Sequence, residues 1–160
     1  SYETEAITQK IALDFDSHFA GELRAKGVDF VLADMERGHF PVASDSLDLV
    51  VMTSTLEHLS QPEAIALEIR RALKQGGVTF ITVPDIERYG FHFWDDITHK
   101  RPFTIKSLRF LFETHRFETL ELCRYNHNLF IAGNLFPRGM HEWMKSFRGD
   151  ALMYVGKKPA

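Results

Sequence analysis

Apolar stretches of strand length recur along the chain, and most close on a polar or acidic residue. The segment from Lys10 to Asp16, KIALDFD, has an apolar centre that ends in two carboxylates, and Ser17, a helix-capping residue type, follows it. This pattern predicts a strand running into a helix. From Ser17 to Lys26, Phe19, Ala20 and Leu23 fall on one face at helical spacing, and Gly27 offers a left-handed stop. Val28 to Asp34, VDFVLAD, repeats the strand pattern and again ends in a carboxylate. After the turn-rich ERGHFPVASDS, Leu47 to Thr53, LDLVVMT, has the length and β-branched content of a buried strand.

Ser60-Gln61-Pro62-Glu63 matches a capping box with proline in the first turn, and Ile65, Ile69, Ala72 and Leu73 follow on one helical face. Gly76-Gly77 is expected to end that helix, and Val78 to Val83, VTFITV, to form a strand stopped by Pro84. A polar and aromatic connection, DIERYGFHFWDDITHKRPF, leads to Thr104 as a cap and to a helix carrying Leu108, Leu111 and Phe112. Glu118 to Tyr125 and Asp150 to Val155 read as the last two strands. Between them Met140, Trp143, Met144 and Phe147 share a helical face, which suits core, the surface of a homodimer, or a lid over an apolar substrate. Alternating strands and helices predict one α/β sandwich over residues 1–160 with a mainly parallel sheet. Ligands of such sheets bind at the carboxyl ends of the strands, so the acidic strand ends are the place to look.

Composition narrows the partners. Nineteen Lys and Arg against 22 Asp and Glu leave a net charge of −3, so no global positive field exists to hold nucleic acid. One cysteine, Cys123, cannot form an internal disulfide, and no apolar run approaches the roughly 18 residues of a membrane span. The opening SYETEAITQK has no basic region followed by an apolar stretch. A cytoplasmic protein with no membrane partner is expected.

Five short motifs stand in a fixed order: Asp34-Met35-Glu36; Pro41; the Asp45 to Val51 run DSLDLVV; Leu56-Glu57-His58-Leu59; and the Arg71 to Gly77 run RALKQGG. Together they resemble the class I S-adenosylmethionine-dependent methyltransferases, especially the small-molecule branch. The Trp94 to Thr104 segment, WDDITHKRPFT, looks like the D-x-T-H-x-R-P-F-T segment of part of that family. The resemblance implies a Rossmann-like sandwich with an antiparallel last strand. Gln75 stands where the family usually has proline. The family's first strand and its glycine-rich loop are missing, and Ser1 to Gln9 reads as the helix that loop would feed. The resemblance therefore implies an N-terminally incomplete fold, with a gap between the strands ending at Asp14 and at Thr53. Further N-terminal residues, direct pairing of the two strands, or another chain would have to close it.

The resemblance implies S-adenosylmethionine as cofactor and assigns it five residues. Asp14 would accept from both ribose hydroxyls, a bidentate geometry that a vicinal diol requires. Asp34 would accept from the adenine amino group, and the Met35 amide would bond a ring nitrogen. Thr53 and Ser54 would pass the sulfonium. Each has a plainer reading, as a helix cap for Asp14 and as a solvated or departing strand end for the others. His58 is a candidate base or a brace for the next helix. Asp96 and His99 are candidates for acting on the methyl acceptor, or for turning a structural loop. His92, Trp94 and Arg101, on the same segment, are candidates for binding the acceptor. His92, Asp95, Asp96 and His99 make a poor metal motif, so no metal is expected. In-line methyl transfer from a sulfonium needs alignment more than a nucleophile, and a base only when the acceptor is a hydroxyl or a protonated amine. The expected activity is methyl transfer to a small-molecule or glycan-type acceptor. The alternative is a catalytically silent module of the same fold; a nicotinamide dehydrogenase is disfavoured because no pyrophosphate loop is present.

Overall fold

The computed structural model of the chain describes residues 7–125 and 149–160. Two layers of sequence logic reappear as two hydrogen-bonded sheets. In the first, β1 (Ile11–Asp14) and β2 (Asp29–Leu32) pair in parallel, Asp14 opposite Leu32, across the short helix α1 (Ala20–Ala25). The second contains β3 (Leu47–Thr53), β4 (Leu73–Pro84), β5 (Glu118–Tyr125) and β6 (Ala151–Lys157) in the order β3-β4-β6-β5. Pairing is parallel between β3 and β4, and antiparallel on both sides of β6. The sheet is thus mixed by pairing, although β3, β4 and β5 share a direction and only the last strand is reversed.

The helices α2 (Pro62–Ala72) and α4 (Ile105–Thr114) place their apolar stripes on this sheet. Ile65, Ile69, Leu73, Ile81, Leu108, Phe112, Leu152 and Tyr154 are fully buried in one cluster, with Phe112 stacked on Tyr154 at 4.4 Å. Leu13 of β1 and Met35 beyond β2 pack against the same cluster. Thr104 caps α4 as its sequence predicts, accepting from the Ser107 N–H at 3.1 Å while the Ser107 hydroxyl accepts from the Thr104 N–H at 2.9 Å.

Four expectations are corrected. Gln61, without a side-chain cap bond, is the residue at the start of α2, and Ser60 instead turns its N–H and hydroxyl to the Glu36 carboxylate at 3.2 Å. A charged acceptor from another segment wins over the local cap. Helix α2 stops at Ala72, and Gly76-Gly77 lies inside β4, where a Cβ on Gly77 would meet the Lys74 carbonyl at 2.9 Å and the Leu47 carbonyl at 3.2 Å. The glycine pair lets the long strand bend past β3 and does not cap a helix. The 85–103 connection is less irregular than expected, with α3 (Ile86–Tyr89) and a 3₁₀ turn at Gly90–Asp95. Of the proposed N-terminal helix, Ile7 to Gln9 is irregular, and residues 1–6 lie outside the described residues, as does the Met140 to Phe147 stripe.

The strands β1 and β3 belong to different sheets, so they do not pair directly. Leu49 and Val51 of β3 are exposed although their strand is apolar.

Candidate active site

The carboxyl ends of β2, β3 and β4 are tied to one another by charged and backbone hydrogen bonds. Asp34 follows β2 and accepts from the Glu36 N–H at 3.1 Å, which turns the chain so that Glu36 receives Ser60, just past β3, and the Lys100 ammonium from the segment beyond β4. The Lys100 hydrogen bond holds the Glu36 carboxyl below its usual range. The N–H groups of Lys100 and Arg101 both donate to the Glu57 carbonyl, at 2.8 and 3.0 Å. The Arg101 guanidinium donates to the Ser60 carbonyl at 2.8 Å. The segment from His92 to Thr104 is therefore laid over the end of β3.

On that edge the structure gathers Glu57, His58, Asp96, Thr98 and His99. Leu56–His58 is a 3₁₀ turn directly after β3, entered through Ser54 with φ of 45°. His58 Nδ1 is 2.9 Å from the Thr98 hydroxyl, which donates to Asp96 Oδ1 at 2.6 Å. His99 Nδ1 is 2.6 Å from the Phe93 carbonyl, and its ring stacks on Phe93 at 4.4 Å. The imidazoles of His58 and His99 meet with centroids 4.8 Å apart. Glu57 Oε1 lies 3.9 Å from His58 Nε2, and Asp96 Oδ2 lies 3.8 Å from His99 Nε2.

Protonation follows from these contacts. The Thr98 hydrogen bonds hold the Asp96 carboxyl below its ordinary value, so Asp96 is ionised and can only accept. The Thr98 hydroxyl spends its one hydrogen there and accepts from His58 Nδ1–H. The Phe93 carbonyl likewise accepts from His99 Nδ1–H. With Nδ1–H engaged in this way, the remaining basic position of each ring is Nε2. Glu57, only 1% exposed, has an Oε2 without a hydrogen-bond partner among the described residues. Burial, with the charge of Asp96 adding to it and its own backbone N–H opposing, raises its carboxyl to about 7.

The structure brings together His58, Asp96 and His99 but not His92, which pairs with Asp95 at 2.9 Å on the surface. Trp94 is half exposed and packs edge-on against Phe93 at 5.0 Å. Arg101 is occupied by the Ser60 carbonyl. Glu57 and Thr98 were missed as members of the site; the buried glutamate before His58 in LEHL was the available signal. Asp14 and Asp34 end adjacent parallel strands. Each commits one oxygen to a turn, Asp14 Oδ1 to the Asp16 N–H at 3.0 Å and Asp34 Oδ1 to the Glu36 N–H, and Asp34 Oδ2 also faces Arg37 at 3.4 Å. Thr53 and Ser54 are exposed at the end of β3.

Residues 3–81 match the family described as methyltransferase domain. Those 79 residues, just under half of the chain, carry the signature of a methyltransferase domain. S-adenosylmethionine is the cofactor of this methyltransferase domain. No curated protein sequence matches it. Among solved structures it is similar to the protein bound to the Trm112 methyltransferase activator of Haloferax volcanii, with TM-score 0.77, 22% identity, and 98% of this chain aligned to 74% of that one. An S-adenosylmethionine-dependent methyltransferase of Thermotoga maritima gives 0.69, 20%, 93% and 72%. The [4+2]-cyclase SpnF gives 0.69, 18%, 95% and 66%. At these identities the likeness is one of fold, and a cyclase among the neighbours shows that this fold alone does not fix the reaction. No helix among the described residues is long and apolar enough to cross a membrane.

Proposed function

We propose that this methyltransferase domain transfers the methyl group of S-adenosylmethionine to a hydroxyl of a small-molecule or glycan-type acceptor, with His58 as the base. The observation that carries the reading is the pair of imidazoles, each engaged through Nδ1, beside the buried Glu57 carboxyl, at the edge where the strand ends converge. S-adenosylmethionine supplies an electrophilic methyl on a sulfonium, and S-adenosylhomocysteine leaves when the acceptor oxygen takes that methyl. The acceptor's proton passes to His58 Nε2, and the Glu57 and Asp96 carboxylates stabilise the imidazolium that forms. His58 is chosen over His99 because its side chain is 32% exposed and that of His99 is 11%.

Asp14 and Asp34 fit the cofactor. Carboxylates at the ends of neighbouring parallel strands suit a ribose diol and an adenine amino group, and Asp14 keeps one oxygen without a partner among the described residues. Thr53 and Ser54 stand between them and the histidines in this reading, and Trp94 offers the acceptor an apolar surface. Among the described residues one edge of β1 and one of β3 have no partner strand, which suits one more parallel strand between them, as the first strand of the family that the sequence resembles would supply.

Release of S-adenosylhomocysteine, followed with phenol, sugar and amine acceptors, tests the assignment. Turnover is expected with a hydroxyl acceptor, with a fall in kcat for His58→Gln at unchanged cofactor affinity. Loss of cofactor binding with unchanged kcat at saturation would refute the base, and silence with every acceptor would favour the non-catalytic module.

A further inference from the structure

We propose that Glu57, His58 and His99 bind one borderline divalent cation, for which Zn²⁺ is the probe. One ligand atom from each of the three lies within 4.8 Å of the others. The contacts to Thr98 and to the Phe93 carbonyl occupy each Nδ1, which leaves a neutral imidazole its lone pair on Nε2, and the buried Glu57 Oε2 has no partner among the described residues. A buried polar atom left in that state is costly unless something occupies the space between the donors. The other carboxylate oxygen, Glu57 Oε1, is 3.9 Å from His58 Nε2, too long for a hydrogen bond. A single cation would give Glu57 Oε2 its partner and engage both imidazoles at once.

The donor set selects the ion. Two imidazoles and one carboxylate suit first-row divalent metals of the zinc type better than Mg²⁺ or Ca²⁺, which prefer oxygen alone. The surroundings resemble the outer shell such a metal needs. A metal-binding histidine ordinarily donates its other N–H to a carbonyl or a carboxylate-linked group. His99 does so to Phe93, and His58 through Thr98 to Asp96. Metal–ligand bonds of about 2.0 to 2.2 Å in a tetrahedron put ligand atoms roughly 3.3 Å apart, so the widest gap closes by about 1.5 Å on binding. Asp96 Oδ2, 3.8 Å from His99 Nε2, is a fourth donor atom at the rim.

This site arises from the fold, since His58 and Thr98 are forty positions apart. It differs from the surface pair of His92 and Asp95 three residues apart. A consequence rests on the proposed function: a cation on His58 Nε2 takes the lone pair that would receive the acceptor's proton, so Zn²⁺ should inhibit methyl transfer.

Calorimetric titration of ZnCl₂ into chelator-treated protein, with Co²⁺ and its visible ligand-field bands as a second probe, tests the site itself. One ion per chain is expected. Affinity should fall by about 100-fold in His99→Ala and Glu57→Gln and by about 10- to 100-fold in Thr98→Val, against no change in His92→Ala. Circular dichroism checks that each variant is folded. Absence of saturable binding in the wild type, absence of Co²⁺ bands, or an equal loss in His92→Ala would overturn the proposal. Saturable binding at these residues with turnover unaffected or raised by Zn²⁺ would leave the site standing and refute His58 as the base.

Discussion

Replacing Glu57 by glutamine isolates the energetics of the buried carboxyl. The side chain is 1% exposed, one oxygen has no partner among the described residues, and desolvation lifts its titration from an ordinary 4.5 to about 7. Asp96, His58 and His99 surround it, with Tyr89 and Tyr125 near enough to feel its charge. Since the folded state holds the proton more tightly, it carries more protons than the unfolded state between the two values, and stability falls as pH rises through that window. At 1.36 kcal/mol per pH unit, the charged form costs the native state about 3 kcal/mol above neutrality. Glutamine has nearly the same shape and no charge to bury. Urea unfolding with a chelator present, at about pH 5 and about pH 8.5, should show Glu57→Gln close to wild type at the lower pH and more stable by about 3 kcal/mol at the higher. A difference between the two proteins that does not change with pH would refute the reasoning.

Thr104→Ala removes the α4 capping box and should cost about 1 kcal/mol in a denaturant midpoint, whereas Ser60→Ala, which caps no helix, should leave α2 in place by circular dichroism. Lys100→Met should release the segment beyond β4 from Glu36, seen as faster amide exchange over 93–103 without a large change in melting temperature.

The strands β3 and β5 have the bounds that their sequence predicts, because β-branched runs between turn residues carry their own signal. Thr104 was legible for a similar reason, since its partner Ser107 sits three residues away. Ser60 was not, because Glu36, 24 positions earlier, outcompetes any local partner. The end of α2 was misjudged since glycines that stop a helix also permit the close approach of β4 to Leu47. His58 and His99 were each visible as candidates, while their union through Thr98 and Phe93 depends on how the connection after β4 folds back over β3. Glu57 resembles a routine surface glutamate until the turn at Leu56–His58 buries it.

In the proposed function, the strand-end carboxylates Asp14 and Asp34 hold S-adenosylmethionine at this edge of the sheet. Calorimetric titration of S-adenosylmethionine into the protein and its Asp14→Ala variant tests it most directly. Losing charge-assisted hydrogen bonds of about 1.5 to 3 kcal/mol predicts an affinity lower by roughly 10- to 100-fold in the variant, with folding unchanged. Equal affinity in the two proteins would contradict the account.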